Sequence, residues 1–212
     1  MVPLLKGVRL LELSTVVMGP LAGQILADLG AEVIKLEPIE GDIARSAPPR
    51  TADIGGALFA NNNRNKRVVA VDLKSAASKE IVHRLIGSTD ALLINMRPAA
   101  AQRLGLGFEE LVKLNPNLVY CAVIGFGEGG PYRGRPAFDD VVQAAAGLAD
   151  VGRRGTEPPR FVSTILADKV GALHAAYALL GGFHGSSFWQ DPPNRGAFVP
   201  QCAQKSRRTH SR

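Results

Sequence analysis

Residues 8–37 read VRLLELSTVVMGPLAGQILADLGAEVIKLE, and their pattern decides the fold class. Val8 to Leu13 is a short apolar run of the kind that fills a buried strand. Ser14 to Gly19 reads as a loop, and Pro20 suits the first turn of a helix, where its missing N–H is not needed. Leu21, Ile25, Leu26 and Leu29 recur at helical spacing, and Gly30 is the expected stop. Ala31 to Glu37 alternates as a second strand, ended by Pro38. A strand–helix–strand unit of this size predicts a right-handed crossover between parallel strands.

The alternation continues downstream. Residues 38–63 are rich in Gly, Pro, Asp and Asn and read as a long excursion with little regular structure. Lys66 to Leu73 is the next strand, and a helix capped by Ser75 or Ser78 carries Ile81, Val82, Leu85 and Ile86. Ala91 to Asn95 is a buried strand, Ala99 to Gly105 a short helix, Phe108 to Leu114 another helix, and Leu118 to Ile124 a fifth strand. A glycine loop at 125–131 leads to a helix around Asp140 to Leu148. A polar loop at 150–160 precedes a last helix from about Ser163 to Leu180. Strands alternating with helices predict an α/β, Rossmann-like, mostly parallel sheet with helices on both faces. Residues 183–212 have no apolar period and are expected to form a disordered or non-native tail, which leaves 1–182 as the folded part.

Composition narrows the function. The chain has 212 residues, 46% apolar and 21% charged, enough for a packed core without disulfides or metal. No apolar run approaches the ~18 residues of a membrane span, so no membrane partner is expected. The formal charge is +6, but Phe183 to Arg212 holds five basic residues against one acid, so the first 182 residues carry only +2. That distribution, with no interleaved aromatics, argues against nucleic acid. Cys121 and Cys202 match no metal or redox spacing, and the start of the chain lacks a targeting pattern; a reducing, cytoplasmic setting is expected.

The chemistry-bearing positions are sparse. The first helix N-terminus offers free N–H groups to a phosphate, but only Gly19 and Gly23 stand where a dinucleotide site needs G-x-G-x-x-G. Glu37 falls 18 residues after Gly19, near where a ribose-binding acid would lie, which keeps a nicotinamide reductase weakly in view. Glu128 would repel phosphate from the second glycine loop. His83 and His174 read as ordinary helix residues, and no metal site is expected. Lys74 and Arg103 follow strand ends, where cations suit an anionic ligand. Asp168 is an acid inside an apolar helix.

Taken in order, several segments resemble family III CoA-transferases, the group of formyl-CoA transferase, carnitine CoA-transferases and α-methylacyl-CoA racemase. They are Leu4 to Leu13, Gly19-Pro20, Leu26 to Glu37, Asn63 to Arg67, Val71 to Lys74, Asn95 to Pro98, Arg103 to Gly105, Asn115-Pro116, Gly125 to Gly127, Gly130-Pro131 and Ala167-Asp168. The resemblance runs over about residues 3–182. It implies coenzyme A across the strand ends, with contacts at Val17, Met18, Val71, Asp72, Leu73, Lys74, Asn95, Met96, Arg97 and Arg103. It also implies Asp168 as the carboxylate that attacks an acyl-CoA thioester, acyl-CoA and a carboxylic acid as substrates, no permanently bound cofactor, and a homodimer. Family members that racemise use a histidine in a G-H-D segment. Here the segment is Ala137-Phe138-Asp139, and phenylalanine moves no proton. The transferase branch is therefore expected, with a non-catalytic CoA-binding fragment or an α-methylacyl-CoA racemase of the same family as the alternatives. Family chains are roughly twice this length and close the site with parts of their second half, so the sequence reads as a truncated or frame-shifted form.

Overall fold

The computed structural model describes residues 3–188 other than 52, 54, 128, 152, 154 and 155, together with 201–203. Its core is a five-stranded sheet. In chain order the elements are β1 (Arg9–Leu13), α1 (Met18–Asp28), β2 (Glu32–Glu37), a 3-10 turn (Ile43–Arg45), the two-residue strands β3 (Arg50–Thr51) and β4 (Gly55–Gly56), and α2 (Ala57–Asn62). There follow β5 (Lys66–Ala70), α3 (Ala76–Ile86), β6 (Ala91–Ile94), α4 (Pro98–Arg103), α5 (Phe108–Leu114), β7 (Val119–Ala122), β8 (Ile124–Phe126), α6 (Asp139–Ala145), α7 (Leu148–Val151), α8 (Leu166–Phe188) and β9 (Gln201–Ala203).

The sheet order is β5-β2-β1-β6-β7, with every pairing parallel. Strands buried on both faces need no polar alternation, and here adjacent residues face opposite cores. Leu10, Val33, Leu93 and Cys121 pack with Leu26 of α1 and Ala172, Ala175 and Leu179 of α8. Leu11, Leu36, Leu92, Ile94 and Tyr120 pack on the other face with Val82 and Ile86 of α3 and Leu111 of α5. The chain order reverses between β1 and β6, and in open α/β sheets the crevice at such a reversal lies outside the strands' carboxyl ends. Among the described residues no helix is long and apolar enough to cross a membrane.

The structure departs from the sequence expectations in identifiable places. Of the two caps expected for α3, Ser75 is the one used, accepting from Ser78 N. The excursion at 38–63 holds the 3-10 turn, a small antiparallel ladder and α2. β5 ends at Ala70, short of Leu73. The strand expected over 118–124 breaks at Val123, and β8 takes part of the expected glycine loop. The helix expected to Leu148 stops at Ala145, because Gly147 turns the chain at φ +77°, a conformation glycine adopts freely. The last helix starts at Leu166 and runs past Leu180 to Phe188. Gly182 lets it pass close to Val119, and Phe183 joins the first core, so the apolar face outlasts the visible period. Of the expected tail, Gln201–Ala203 pair in parallel with β8; residues 189–200 and 204–212 lie outside the described residues.

Candidate functional site

A cleft of ≈ 260 Å³ opens at the carboxyl ends of β1 and β6. Its walls are Thr15 to Met18 after β1, Asn95, Arg97 and Pro98 after β6, Val123 to Phe126, Gly134 to Phe138, and Asp168. Three loops converge there because three parallel strands end together. Pro98 starts α4 where no N–H is required, so β6 hands directly to a helix at the cleft edge.

Asp168 lies in the first turn of α8. That placement answers the oddity of an acid in an apolar helix, since a carboxylate near a helix N-terminus meets free N–H groups. Its main-chain N donates to Asp139 Oδ1 at 2.9 Å. Asp139 is itself buried and bonded by Gln143 Nε2, while Gln143 Oε1 accepts from Val162 N at 2.8 Å. Asp139 and Gln143 thus hold the start of α8 against α6. Burial, reinforced by the neighbouring Asp139 charge, pushes Asp168 up to about 6. A carboxylate tuned this way stays largely ionised at pH 7 and is more basic than an ordinary aspartate. Asp139 went unread in the sequence as a site residue. The available signal was an acid pair opening a helix, with glutamine one turn on.

The β1–α1 loop is built on buried charge. Glu12, Lys35 and Lys66 have fully buried side chains, and Glu12 faces Lys35 in the strand register. Lys35 Nζ meets Asp42 Oδ2 at 2.9 Å, Glu12 Oε1 at 3.3 Å and Ser14 O at 2.6 Å. Lys66 Nζ meets Glu12 Oε2 at 2.8 Å, Pro20 O at 2.7 Å and Asn63 Oδ1 at 3.0 Å. Burial pulls Lys66 down to about 8, although the Glu12 charge opposes it. Val16 in this loop has φ +72°, a conformation that costs a β-branched residue on the order of 1–3 kcal/mol.

Gly19 and Gly23 belong to this packing. A Cβ on Gly19 would lie 2.3 Å from Ser14 Oγ, and one on Gly23 would lie 2.0 Å from Glu12 Oε2. These glycines bring α1 close to β1. Glu37, the acid a dinucleotide site would use, is occupied by Arg45 at 2.7 Å.

Of the residues picked from sequence, Val17, Met18, Asn95, Arg97 and Asp168 line the cleft together. Val71, Asp72, Leu73 and Lys74 follow β5, two strands or roughly 10 Å from β1 along the same edge. The Val71, Leu73 and Met96 side chains pack into the second core, which leaves their main chain toward the edge. Arg103 is in the last turn of α4. Lys74, Arg97 and Arg103 are exposed, and none has a carboxylate partner among the described residues. By contrast, Arg9, Arg45, Arg64, Arg67 and Lys79 are all paired. Phe138, where a racemase would carry histidine, lines the cleft and is 68% exposed. Glu128 lies outside the described residues.

Comparison with known proteins identifies the family. The family model described as CoA-transferase family III matches residues 5–187. A succinate–glutarate CoA-transferase of Agrobacterium fabrum is 36% identical over 184 residues, which is 84% of this chain and 46% of that protein. A formyl-CoA:oxalate CoA-transferase of Streptomyces coelicolor is 34% identical over 85% of this chain and 44% of its own length. A CAIB/BAIF family protein from Brucella suis superposes with a TM-score of 0.83 at 32% identity, covering 88% of this chain and 50% of that one. The chain spans about half the length of the relatives it matches. Matched over nearly all of its described sheet and helices, the chain belongs to CoA-transferase family III.

Proposed function

We propose that the chain binds acyl-CoA along the strand-end edge and that Asp168 carries the acyl group in an acyl-CoA:carboxylate CoA-transfer. The observation that carries this reading is the Asp168 carboxylate at the N-terminus of α8, in a cleft walled by the β1–α1 and β6–α4 turns. In the first step, a carboxylate oxygen of Asp168 attacks the thioester carbonyl carbon. The C–S bond breaks, leaving a mixed anhydride on Asp168 and CoA thiolate. The thiolate then attacks the aspartyl carbonyl of the anhydride, releasing the first carboxylic acid and leaving an aspartyl-CoA thioester. An acceptor carboxylate attacks that thioester to form the second anhydride, and the thiolate attacks its acyl carbonyl to give the new acyl-CoA and free Asp168. Covalent catalysis of this kind divides one exchange into steps of similar energy.

Each neighbour has a part. Asp139 raises the basicity of the nucleophile and anchors its helix. Lys74, Arg97 and Arg103, cations without a carboxylate partner among the described residues, suit the phosphates of coenzyme A. Relatives named for succinate, glutarate and oxalate favour a small carboxylic acid as acceptor. Phe138 argues against α-proton transfer, since the ring offers no acid or base to a substrate carbon.

The test is release of free CoA from an acyl-CoA by the purified chain and by Asp168→Asn, followed chromatographically. Release by the unaltered chain and none by the variant is expected. Equal release from both would overturn the assignment of Asp168. Deuterium incorporation at the α-carbon of a 2-methylacyl-CoA would instead support a racemase.

A further inference from the structure

The cleft-facing loop Ser14–Val17 is fastened from behind at each of its first three residues. Ser14 O accepts from Lys35 Nζ and Ser14 Oγ donates to Glu12 Oε1 at 2.9 Å. Thr15 N donates to Asn95 Oδ1 at 3.2 Å, and Thr15 O accepts from Asn95 Nδ2 at 2.9 Å. Val16 N donates to the Asp42 carboxylate at 3.1 and 3.3 Å. Asp42 is 2% exposed, although it comes from the irregular excursion after β2. One of its oxygens takes the main-chain N–H groups of Val16 and Ala44, and the other takes Lys35 Nζ.

A buried acid with both oxygens occupied, on the N–H of a β-branched residue at φ +72°, has a specific consequence. Left-handed backbone at such a residue persists only where its surroundings over-determine it. Turning Val16 back to negative φ would rotate the peptides on either side of it. Those peptides carry Thr15 and Val17 into the cleft, and Val17 O accepts the first helical bond of α1, from Leu21 N at 2.8 Å. The loop's shape on the ligand side is therefore set by a charge on its far side.

We propose that Asp42, clamped by Lys35, is a positioning residue for coenzyme binding: it holds Val16 left-handed and thereby fixes the surface that the β1–α1 loop offers to coenzyme A. This rests on the reading of the cleft as a coenzyme A site. Asp42 touches no ligand in this account; it acts through Val16. Asparagine is the informative replacement, because an amide has a single oxygen and cannot accept from Val16 and Lys35 on separate atoms. Glycine at position 16 is the informative partner change, because glycine enters the left-handed region freely and needs no clamp.

The experiment is calorimetric titration of coenzyme A into the unaltered chain, Asp42→Asn, Val16→Gly and the double variant. Val16 amide exchange is followed in parallel by NMR. Asp42→Asn should weaken binding about tenfold when residue 16 is valine and less than threefold when it is glycine. The Val16 amide should be protected in the unaltered chain and exchange fast in Asp42→Asn. An equal loss in both backgrounds, or none in either, overturns the proposal. Should Asp42→Asn fail to fold, fast exchange of Val16 in the unaltered chain overturns it, and protection there supports it. Absence of coenzyme A binding by the unaltered chain with a protected Val16 amide refutes the site, and leaves the clamp standing as a feature of the loop alone.

Discussion

Two sets of charges stand at the same edge of the sheet, and they are arranged in opposite ways. Behind the β1–α1 loop, Glu12, Lys35, Asp42 and Lys66 are buried and balanced, two cations against two anions, with each ammonium bonded to carboxylate and main-chain oxygens. On the rim, Lys74, Arg97 and Arg103 are exposed cations without carboxylate partners among the described residues. The inner set is buried behind the loop, where it shapes backbone. The outer set has no carboxylate partner among the described residues, which on the proposed function leaves it to meet an anion. On the proposed function, charge at this edge divides by burial into groups that shape the loop and groups that would meet the coenzyme.

The largest effect should come from breaking the inner set. Lys35→Met leaves Asp42 and one side of Glu12 buried without a counter-charge, and such losses typically cost 3–5 kcal/mol, measurable as a drop in urea stability of about that size. A loss below about 1 kcal/mol would mean that the buried charges do not support the loop. Glu12, Lys35 and Lys66 are thus expected to behave as core residues despite their chemistry.

The rim should respond in binding instead of stability. Arg97→Ala and Arg103→Ala are each expected to weaken coenzyme A binding by roughly 5- to 20-fold, the scale of one charge-assisted contact of about 1–2 kcal/mol, while urea stability changes by less than about 0.5 kcal/mol. Lys74→Ala, two strands away, should show the smallest loss of the three. Destabilisation without an affinity change at any of these positions would merge the two sets and remove the distinction.

Asp168 falls between them, half-buried and without a cation partner among the described residues, and its effect on stability should be smaller than that of the inner set and opposite in sign. Its folded pKa of about 6 lies above the ordinary value of 3.8, so the folded state holds the proton more tightly than the unfolded chain does. Its contribution is therefore favourable below about pH 4 and is lost as pH rises through 6. Asp168→Asn should accordingly stabilise the chain at pH 8 by about 1 kcal/mol after allowance for solvent screening, with the gain gone at pH 4. Unfolding midpoints at the two pH values check the sign. Greater stability of the unaltered chain at pH 8 would mean that the Asp168 carboxylate is not strained.

Much of this was legible before the structure. The apolar runs at 8–13 and 91–95, the helical spacing after Pro20 and the alternation at 31–37 led to a parallel sheet, since those patterns depend on neighbours a few residues apart. Lys74 and Arg103 stood out as cations after strand ends and Asp168 as an acid in an apolar helix, and the resemblance of their segments to family motifs supplied the roles proposed for them. The inner charges were not. Lys35 alternates with apolar neighbours as a solvent-facing strand residue would, and only the excursion at 38–63 folding back over it buries it against Asp42. Asp139 was missed for a similar reason: its partner, the Asp168 amide, is 29 residues away and across a helix–helix contact. Local periodicity carries elements; pairings between distant charges need the third dimension.

On the proposed function, Asp168 is the point where the acyl group joins the chain. This assignment is tested most directly by peptide mass spectrometry of the chain incubated with an acyl-CoA and quenched with hydroxylamine, which converts an acyl-aspartyl anhydride or aspartyl thioester to a hydroxamate. A hydroxamate at Asp168, dependent on acyl-CoA and strongest above pH 6, is expected. Modification at another carboxylate, or none at Asp168 while free CoA accumulates, would contradict it.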